Sequence, residues 1–174
     1  MKILVSAGHS DQDPGATANG ATEAALAVEL RDLLAARLRA LGTTVEEDGA
    51  DGRNLPLSAA VKMIAGKVLA VELHFNASSN PAATGVECIG LKQSKRMAQV
   101  LASVTASTLG LKLRGDQGWI DQTLSHRGKL AFVEAGGLIL EVAFISNPSD
   151  LSAYQSRKLA LVNALAETIK RASP

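Results

Sequence analysis

The feature that most constrains the fold is the alternation of short apolar runs with longer segments in which apolar residues recur every three or four positions. Segments with the length of strands lie at residues 3–7, 43–46, 67–75, 85–89 and 137–142, and those at 3–7, 67–75 and 137–142 are largely apolar. Segments of helical period lie between and after them, at residues 23–41, 54–65, 94–109 and from about 150 onward. This order predicts an α/β domain with a twisted, mostly parallel sheet flanked by helices on both faces.

Local signals mark the ends of the first long helix and the loop before it. Residues 8–20 are rich in turn formers and predict a loop. Thr22 has the chemistry of a helix N-cap, and Gly42 is placed to stop the helix. Residues 111–134 show no sustained period and are left unassigned.

The sequence predicts a single domain over residues 1–174, because single domains commonly span about 100–200 residues and the chain contains no internal repeat or linker. Eighteen basic and seventeen acidic side chains nearly balance, so nucleic acid is not an expected partner. No stretch approaches the roughly 18 apolar residues of a membrane span. We expect a monomer.

The N-terminal apolar run is too short for the apolar region of a secretory signal, which needs about 7–15 residues. We therefore expect the protein to be made in the cytoplasm without a signal peptide. The single cysteine, Cys88, excludes an intramolecular disulfide.

Polar residues interrupt or follow three of the predicted strands. His9 follows the first strand, His74 lies at the end of residues 67–75, and Glu141 interrupts residues 137–142. Glu23 begins the long helix after the His9 loop. Because the carboxyl ends of parallel strands form one edge of a sheet, these side chains are expected to meet there.

Two imidazoles and a carboxylate form a ligand set that suits one Zn²⁺ ion. A catalytic zinc keeps a coordination position for water and lowers its pKa to about 7. A second carboxylate is then needed to accept the proton from the attacking water and to pass it to the leaving group. The chain offers two histidines and two glutamates in suitable places for this chemistry.

The sequence motifs around these four residues are a more specific signal than the spacing between them. Three segments carry it: Val-Ser-Ala-Gly-His at 5–9 with Asp-Pro-Gly-Ala at 13–16, Leu-His-Phe-Asn-Ala at 73–77 with Gly-Val-Glu at 85–87, and Leu-Glu-Val-Ala-Phe-Ile-Ser-Asn-Pro at 140–148. In order and separation they resemble the type 3 N-acetylmuramoyl-L-alanine amidases over essentially the whole chain.

This resemblance implies that His9, Glu23 and His74 bind zinc and that Glu141 is the catalytic carboxylate. It also implies that the substrate is peptidoglycan, cut at the amide between N-acetylmuramic acid and L-alanine. Asn76 follows a ligand by two positions and is a candidate for orienting substrate or water. The family usually approaches the first ligand through Asp-Pro-Gly-His, where this chain has Ser-Ala-Gly-His at 6–9; the change affects the support of a ligand and not a ligand itself.

Several of these residues have simpler interpretations. Acidic residues such as Glu23 are favoured in a first helical turn, and Glu141 could form a structural salt bridge. His126 lies in a polar loop and could be solvated or contact substrate. Arg114, followed by Gly115, resembles a weak landmark of the family and could equally belong to a solvated turn. Cys88 lies in a half-buried strand pattern that favours a small core residue over a nucleophile.

Other functions stay open at this point. A zinc peptidase acting on stem peptides would use the same chemistry, and a wall-binding module could keep the fold without the reaction. The setting that we expect is a phage or prophage endolysin released through a holin, and the alternative is a bacterial autolysin whose signal peptide is missing.

Overall fold

The structure, a computed structural model, describes residues 2–49, 52–124 and 128–172. Its elements follow one another in an order that alternates strands and helices. They are β1 (Lys2–Ala7), β2 (Thr17–Ala18), β3 (Ala21–Thr22), α1 (Glu23–Ala40), β4 (Thr44–Glu47), α2 (Leu57–Met63), β5 (Leu69–Asn76), β6 (Glu87–Gly90), α3 (Lys95–Leu109), β7 (Trp119–Asp121), α4 (Ala131–Glu134), β8 (Leu138–Phe144) and α5 (Pro148–Ala172).

The central sheet has the strand order β4-β1-β5-β8-β6-β7. Strand β1 pairs in parallel with β4 and with β5, and β5 pairs in parallel with β8. Strand β6 pairs antiparallel with β8 and parallel with β7, so this outer pair runs against the others. The prediction of a mostly parallel sheet is confirmed, with the reversal of β6 and β7 as the departure from it.

Helices cover the sheet on both faces, as the sequence predicts, but the cover is unequal. The long helices α1, α3 and α5 pack together over one face and contribute Leu30, Leu101 and Leu165 to its core. The short helices α2 and α4 cover part of the other face, where a smaller cluster includes Ile64 and Phe132. We call the first the thick face and the second the thin face.

The helix bounds follow local chemistry. Thr22 caps α1 by accepting a hydrogen bond from the backbone N–H of Ala25, as predicted. Helix α2 begins at Leu57, later than the predicted residue 54, because the residue before Pro56 disfavours the helical conformation. Helix α5 begins at Pro148, since proline is suited to the first helical position. The unassigned residues 111–134 contain β7 and α4.

Alternation along the strands directs the polar side chains to the thin face. Leu73 and Phe75 of β5 belong to the thick-face core, so Glu72 and His74 project from the opposite side. The register places His74 beside Glu141 of β8, and Glu141 beside Glu87 of β6. The sheet therefore presents a row of polar groups where the helical cover is short.

None of the helices in the described residues combines the length and the apolar character that crossing a membrane requires.

Candidate metal centre and active site

Three side chains from separate elements converge at the carboxyl ends of β1 and β5. His9 follows β1, Glu23 is the first residue of α1, and His74 lies near the end of β5. One ligand atom from each lies within 4.8 Å of the others. Glu23 Oε2 is 2.9 Å from His9 Nε2, and Glu23 Oε1 is 2.9 Å from His74 Nδ1. The structure thus brings together the three residues that the sequence singled out as metal ligands.

The backbone at His9 adopts an unusual conformation. Its φ is 70°, in the left-handed region that non-glycine residues seldom occupy. Such strain is typical of functional positions, where surrounding contacts hold the residue in place. Here Asp13 Oδ2 lies 2.9 Å from His9 Nδ1, which leaves Nε2 facing Glu23.

Two glycines allow the imidazoles to pack against backbone. A Cβ atom on Gly8 would lie 2.3 Å from Nε2 and Cε1 of His74. A Cβ atom on Gly15 would lie 2.5 Å from His9 Nε2. Both distances are too short for a Cβ atom to be present. The close packing of the two histidine rings therefore requires glycine at these positions, in addition to the turn that glycine favours.

Glu23 is placed suitably for both of the roles that the sequence allowed. It lies in the first turn of α1, where a negative charge is favoured, and its carboxylate is buried between the imidazoles. The backbone N–H of Ala16 donates to Oε2 and that of Phe75 donates to Oε1, each at 3.1 Å. These bonds fix the orientation of the carboxylate before any cation binds.

The electrostatics of the cluster follow from these contacts. Burial opposes the charged form of each group, but the hydrogen bonds outweigh it. Contacts with Glu23 and Asp13 raise the pKa of His9, and contacts with Glu23 and Glu72 raise the pKa of His74 well above its usual value. The two imidazoles in turn lower the pKa of Glu23. A cation that binds here has to displace protons from the imidazoles.

Glu141 lies next to this cluster on the thin face. It is the register partner of His74, and its charge contributes to the raised pKa of that histidine. Together with His9, Glu23 and His74, it lines an open cavity of about 670 Å³. The residue is half-buried, and it is among the residues that line this cavity.

A second group of polar residues forms the far wall of the same cavity. Arg114 Nε donates to Glu87 Oε2 at 2.5 Å, and the guanidinium lies over the ring of Phe144 at 4.9 Å. Asn76 Nδ2 donates to Glu87 Oε1 at 3.0 Å. The structure therefore gives Arg114 a contact with the site that a solvated turn would not have, and it places Asn76 at the site's edge.

Sequence reasoning missed one polar contact of the cluster. Glu72 Oε2 lies 3.0 Å from His74 Nε2, on the side of the ring that faces away from Glu23. In the sequence, Glu72 appears only as an interruption of an apolar run. Its position two residues before His74, and hence on the same face of the strand, is the signal that could have revealed it.

The remaining candidates are not assembled into the site. Cys88 is fully buried on the thick-face side of β6, and burial, helped by the charge of Glu141, raises the pKa of its thiol. This agrees with its interpretation as a core residue. His126 lies outside the described residues, so its predicted alternatives stay open.

Comparisons with known proteins agree with this fold. The family model described as N-acetylmuramoyl-L-alanine amidase matches residues 3–171. A protein of Neisseria meningitidis described as a candidate N-acetylmuramoyl-L-alanine amidase shares 39% identity, with a TM-score of 0.91 over 98% of this chain and 94% of that one. No curated protein matches the chain by sequence.

More distant solved structures share the fold. The N-acetylmuramoyl-L-alanine amidase AmiC2 of Nostoc punctiforme has 17% identity and a TM-score of 0.81 over 99% of this chain and 96% of its own. The catalytic domain of CwlV, an N-acetylmuramoyl-L-alanine amidase from Paenibacillus polymyxa, has 20% identity and a TM-score of 0.77 over 99% and 98% of the two chains. Since the family model spans nearly every residue, this chain belongs to the type 3 N-acetylmuramoyl-L-alanine amidase family and is a peptidoglycan amidase.

Proposed function

We propose that the enzyme uses one Zn²⁺ ion, held by His9, Glu23 and His74, and that Glu141 is its general base and acid. The observation that carries this proposal is the meeting of three ligand atoms within 4.8 Å, in a cavity that a fourth acidic residue, Glu141, also lines. The ion supplies Lewis acidity that polarises the amide carbonyl and makes a water molecule easier to deprotonate.

The ligand atoms fit this ion. Zinc favours imidazole nitrogen and carboxylate oxygen at about 2.0–2.1 Å in a tetrahedral array, which separates ligand atoms by roughly 3.3 Å. The two oxygens of Glu23 lie 2.9 Å from the imidazoles, slightly closer than this, and the other separations between ligand atoms reach up to 4.8 Å, so the side chains would have to adjust in both directions to enclose the ion. Three protein ligands also leave room for water and substrate, as a catalytic site requires.

Glu141 then carries out the proton transfers of the reaction. Glu141 accepts a proton from the water that attacks the lactyl carbonyl carbon, and it delivers this proton to the nitrogen of L-alanine as the C–N bond breaks. The products are a muramic acid with a free lactyl carboxylate and a stem peptide with a free amino terminus.

Neighbouring carboxylates are less suited to the proton transfer. Glu87 is buried and bound by Arg114 and Asn76, and Glu72 is buried against His74. Glu141 is the more exposed of the three and lies opposite His74 in the sheet. Asn76, whose amide borders the cavity, is proposed to help orient substrate or water.

Two measurements test the proposal. Metal analysis of the purified protein should find about one zinc per chain, and His74→Ala should lose it. Glu141→Gln should keep the zinc and lose turnover by about 10²–10⁴-fold. A wild-type protein that cuts the amide at full rate without any metal would contradict the proposal.

A muramoyl-tripeptide substrate separates amidase from peptidase action. Mass spectrometry should detect the lactyl-bearing sugar and the intact tripeptide as products. Cleavage only between amino acids would favour the alternative of a zinc peptidase acting on stem peptides.

We also propose that residues 1–174 act as one monomeric catalytic domain and that the enzyme reaches the wall as a phage or prophage endolysin through a holin. Size-exclusion chromatography with light scattering tests the monomer. Expression with and without a holin tests the route: lysis that needs no holin would instead favour an exported autolysin.

A further inference from the structure

The ring of His74 is held by carboxylates on both sides. Nδ1 lies 2.9 Å from Glu23 Oε1, and Nε2 lies 3.0 Å from Glu72 Oε2. The side chain of Glu72 is 5% exposed and that of His74 is 11% exposed, so both contacts are shielded from water. The two contacts use opposite nitrogens of one imidazole, so they have different chemical roles once one of these nitrogens binds a metal.

The ring nitrogens of a metal ligand have separate tasks. A neutral imidazole binds a metal through the nitrogen that lacks a proton, and the other nitrogen carries the N–H. Because Nδ1 is the nitrogen that faces Glu23, it is the one placed to bind the metal, and Nε2 then carries the proton. An N–H at that position donates to Glu72.

We propose that Glu72 is a positioning residue for the metal site: it accepts the Nε2–H of His74 and thereby fixes the tautomer and ring orientation in which Nδ1 can bind zinc. This inference rests on the proposed function, since it presupposes that His74 is a ligand. A negatively charged hydrogen-bond acceptor at this position also makes the nitrogen that binds the metal more basic.

The surroundings of Glu72 support this role. A buried carboxylate is unfavourable unless it is paired. Within residues 2–49, 52–124 and 128–172, no lysine or arginine forms an ion pair with Glu72, and the imidazole of His74 is its charged-group partner. Glu72 is therefore not explained by a salt bridge of the ordinary structural kind.

The neighbouring strand holds Glu72 from the other side. Ser6 of β1 is its register partner, with Oγ 3.5 Å from Glu72 Oε1 and 2.7 Å from Asp48 Oδ2. Asp48 is in turn bound to the fully buried Arg31. Ser6 occupies the position where the family motif usually has an aspartate. In this chain the neighbouring carboxylate comes instead from Glu72, the partner of Ser6 on β5.

Zinc affinity tests the proposal more directly than activity. Competition with a chromophoric chelator would be measured for the wild type, Glu72→Ala and Glu72→Gln. Loss of such a supporting contact weakens metal binding by about 10–100-fold, which is the expectation for Glu72→Ala. Glu72→Gln should lose less, because its amide oxygen can still accept the Nε2–H.

The matched control is Glu47→Gln, which removes a nearly buried carboxylate on β4 that pairs with Arg39, lies 3.9 Å from Arg31 and has no ion pair with the histidines. It should bind zinc as the wild type does. Circular dichroism shows whether each variant is folded, and Glu72→Gln carries the test if Glu72→Ala does not fold.

Cobalt substitution distinguishes positioning from ligation. If Glu72 only positions His74, Glu72→Gln keeps the ligand set and the shape of the cobalt absorption spectrum. A changed coordination spectrum in Glu72→Gln would make Glu72 a ligand and overturn the proposal. Wild-type zinc affinity in both folded variants would overturn it as well, whereas a wild type that binds no zinc would instead refute the proposed metal site.

Discussion

A single methyl group at Gly8 should disable the metal site without unfolding the protein. The backbone φ of Gly8 lies outside the left-handed region, so alanine can adopt its conformation. The added Cβ would lie 2.3 Å from Nε2 and Cε1 of His74, whereas non-bonded atoms of this kind are at ease at about 3.5–4.0 Å. One of the two groups has to move by about 1 Å or more.

The structure indicates which of them moves. The N–H of Gly8 donates to the carbonyl of Leu73 at 2.9 Å, and its carbonyl accepts from Asn54 Nδ2 at 2.8 Å. Both bonds hold the backbone in place, so the imidazole of His74 is displaced. A misplacement of about 1 Å at a catalytic site reduces the rate by about 10²-fold, equivalent to about 2.7 kcal/mol of transition-state stabilisation.

The assay compares kcat/KM on a muramoyl-peptide, zinc content and thermal unfolding for the wild type and Gly8→Ala. Overpacking of this kind destabilises by about 1–3 kcal/mol, which leaves a domain of this size folded. The control is Gly66→Ala. The φ of Gly66 is +74° and no atom lies within 4 Å of the added Cβ, so this variant should lose about 1–2 kcal/mol of stability and keep its full activity.

Full zinc content together with kcat/KM within about threefold of the wild type in Gly8→Ala would refute the reasoning, because the ring would then not depend on the close approach of Gly8.

Three further predictions address the fold and the excluded nucleophile. Asp48→Ala removes the fully buried member of the carboxylates around Arg31 and leaves the Ser6 hydroxyl and the N–H of Ala7 without this acceptor, while Asp32 stays 2.8 Å from the guanidinium; it should reduce the free energy of unfolding by about 1–3 kcal/mol in urea titrations, and no measurable change would refute this. Asp150→Asn should reduce it by about 2 kcal/mol, because one amide cannot accept from the Thr84 hydroxyl and from the N–H groups of Gly85 and Phe144 as the carboxylate does. Cys88, buried and with a raised pKa, should react with Ellman's reagent only after unfolding, and Cys88→Ala should keep its turnover; inactivation of the folded Cys88→Ala enzyme would reopen the cysteine mechanism.

Long periodic segments made most of the fold predictable. The apolar spacing of α1 and the threonine before it determine where the helix lies and where it begins, because both signals are local. Strand direction is not local. The reversal of β6 and β7 depends on which neighbours they pair with, and nothing in a four-residue strand such as Glu87–Gly90 encodes that choice.

In the site, too, some features follow from local sequence and others depend on contacts between distant residues. His9, Glu23 and His74 could be proposed from motifs, since each lies in a recognisable segment next to a predicted element. The link between Glu87 and Arg114 spans 27 positions and depends on the pairing of the reversed strands. Contacts of this kind appear only once the chain has folded.

The unequal cover of the sheet has a consequence for how this enzyme could be adapted. The interlocked helices α1, α3 and α5 bury most of the apolar side chains, whereas the reactive groups emerge beside the small helices α2 and α4. Residues that govern folding and residues that govern selectivity are thus largely segregated. Libraries confined to α2 and α4 could change which wall chemistries are accepted, while fusion partners attached behind α3 and α5 would leave the approach of the polymer unobstructed.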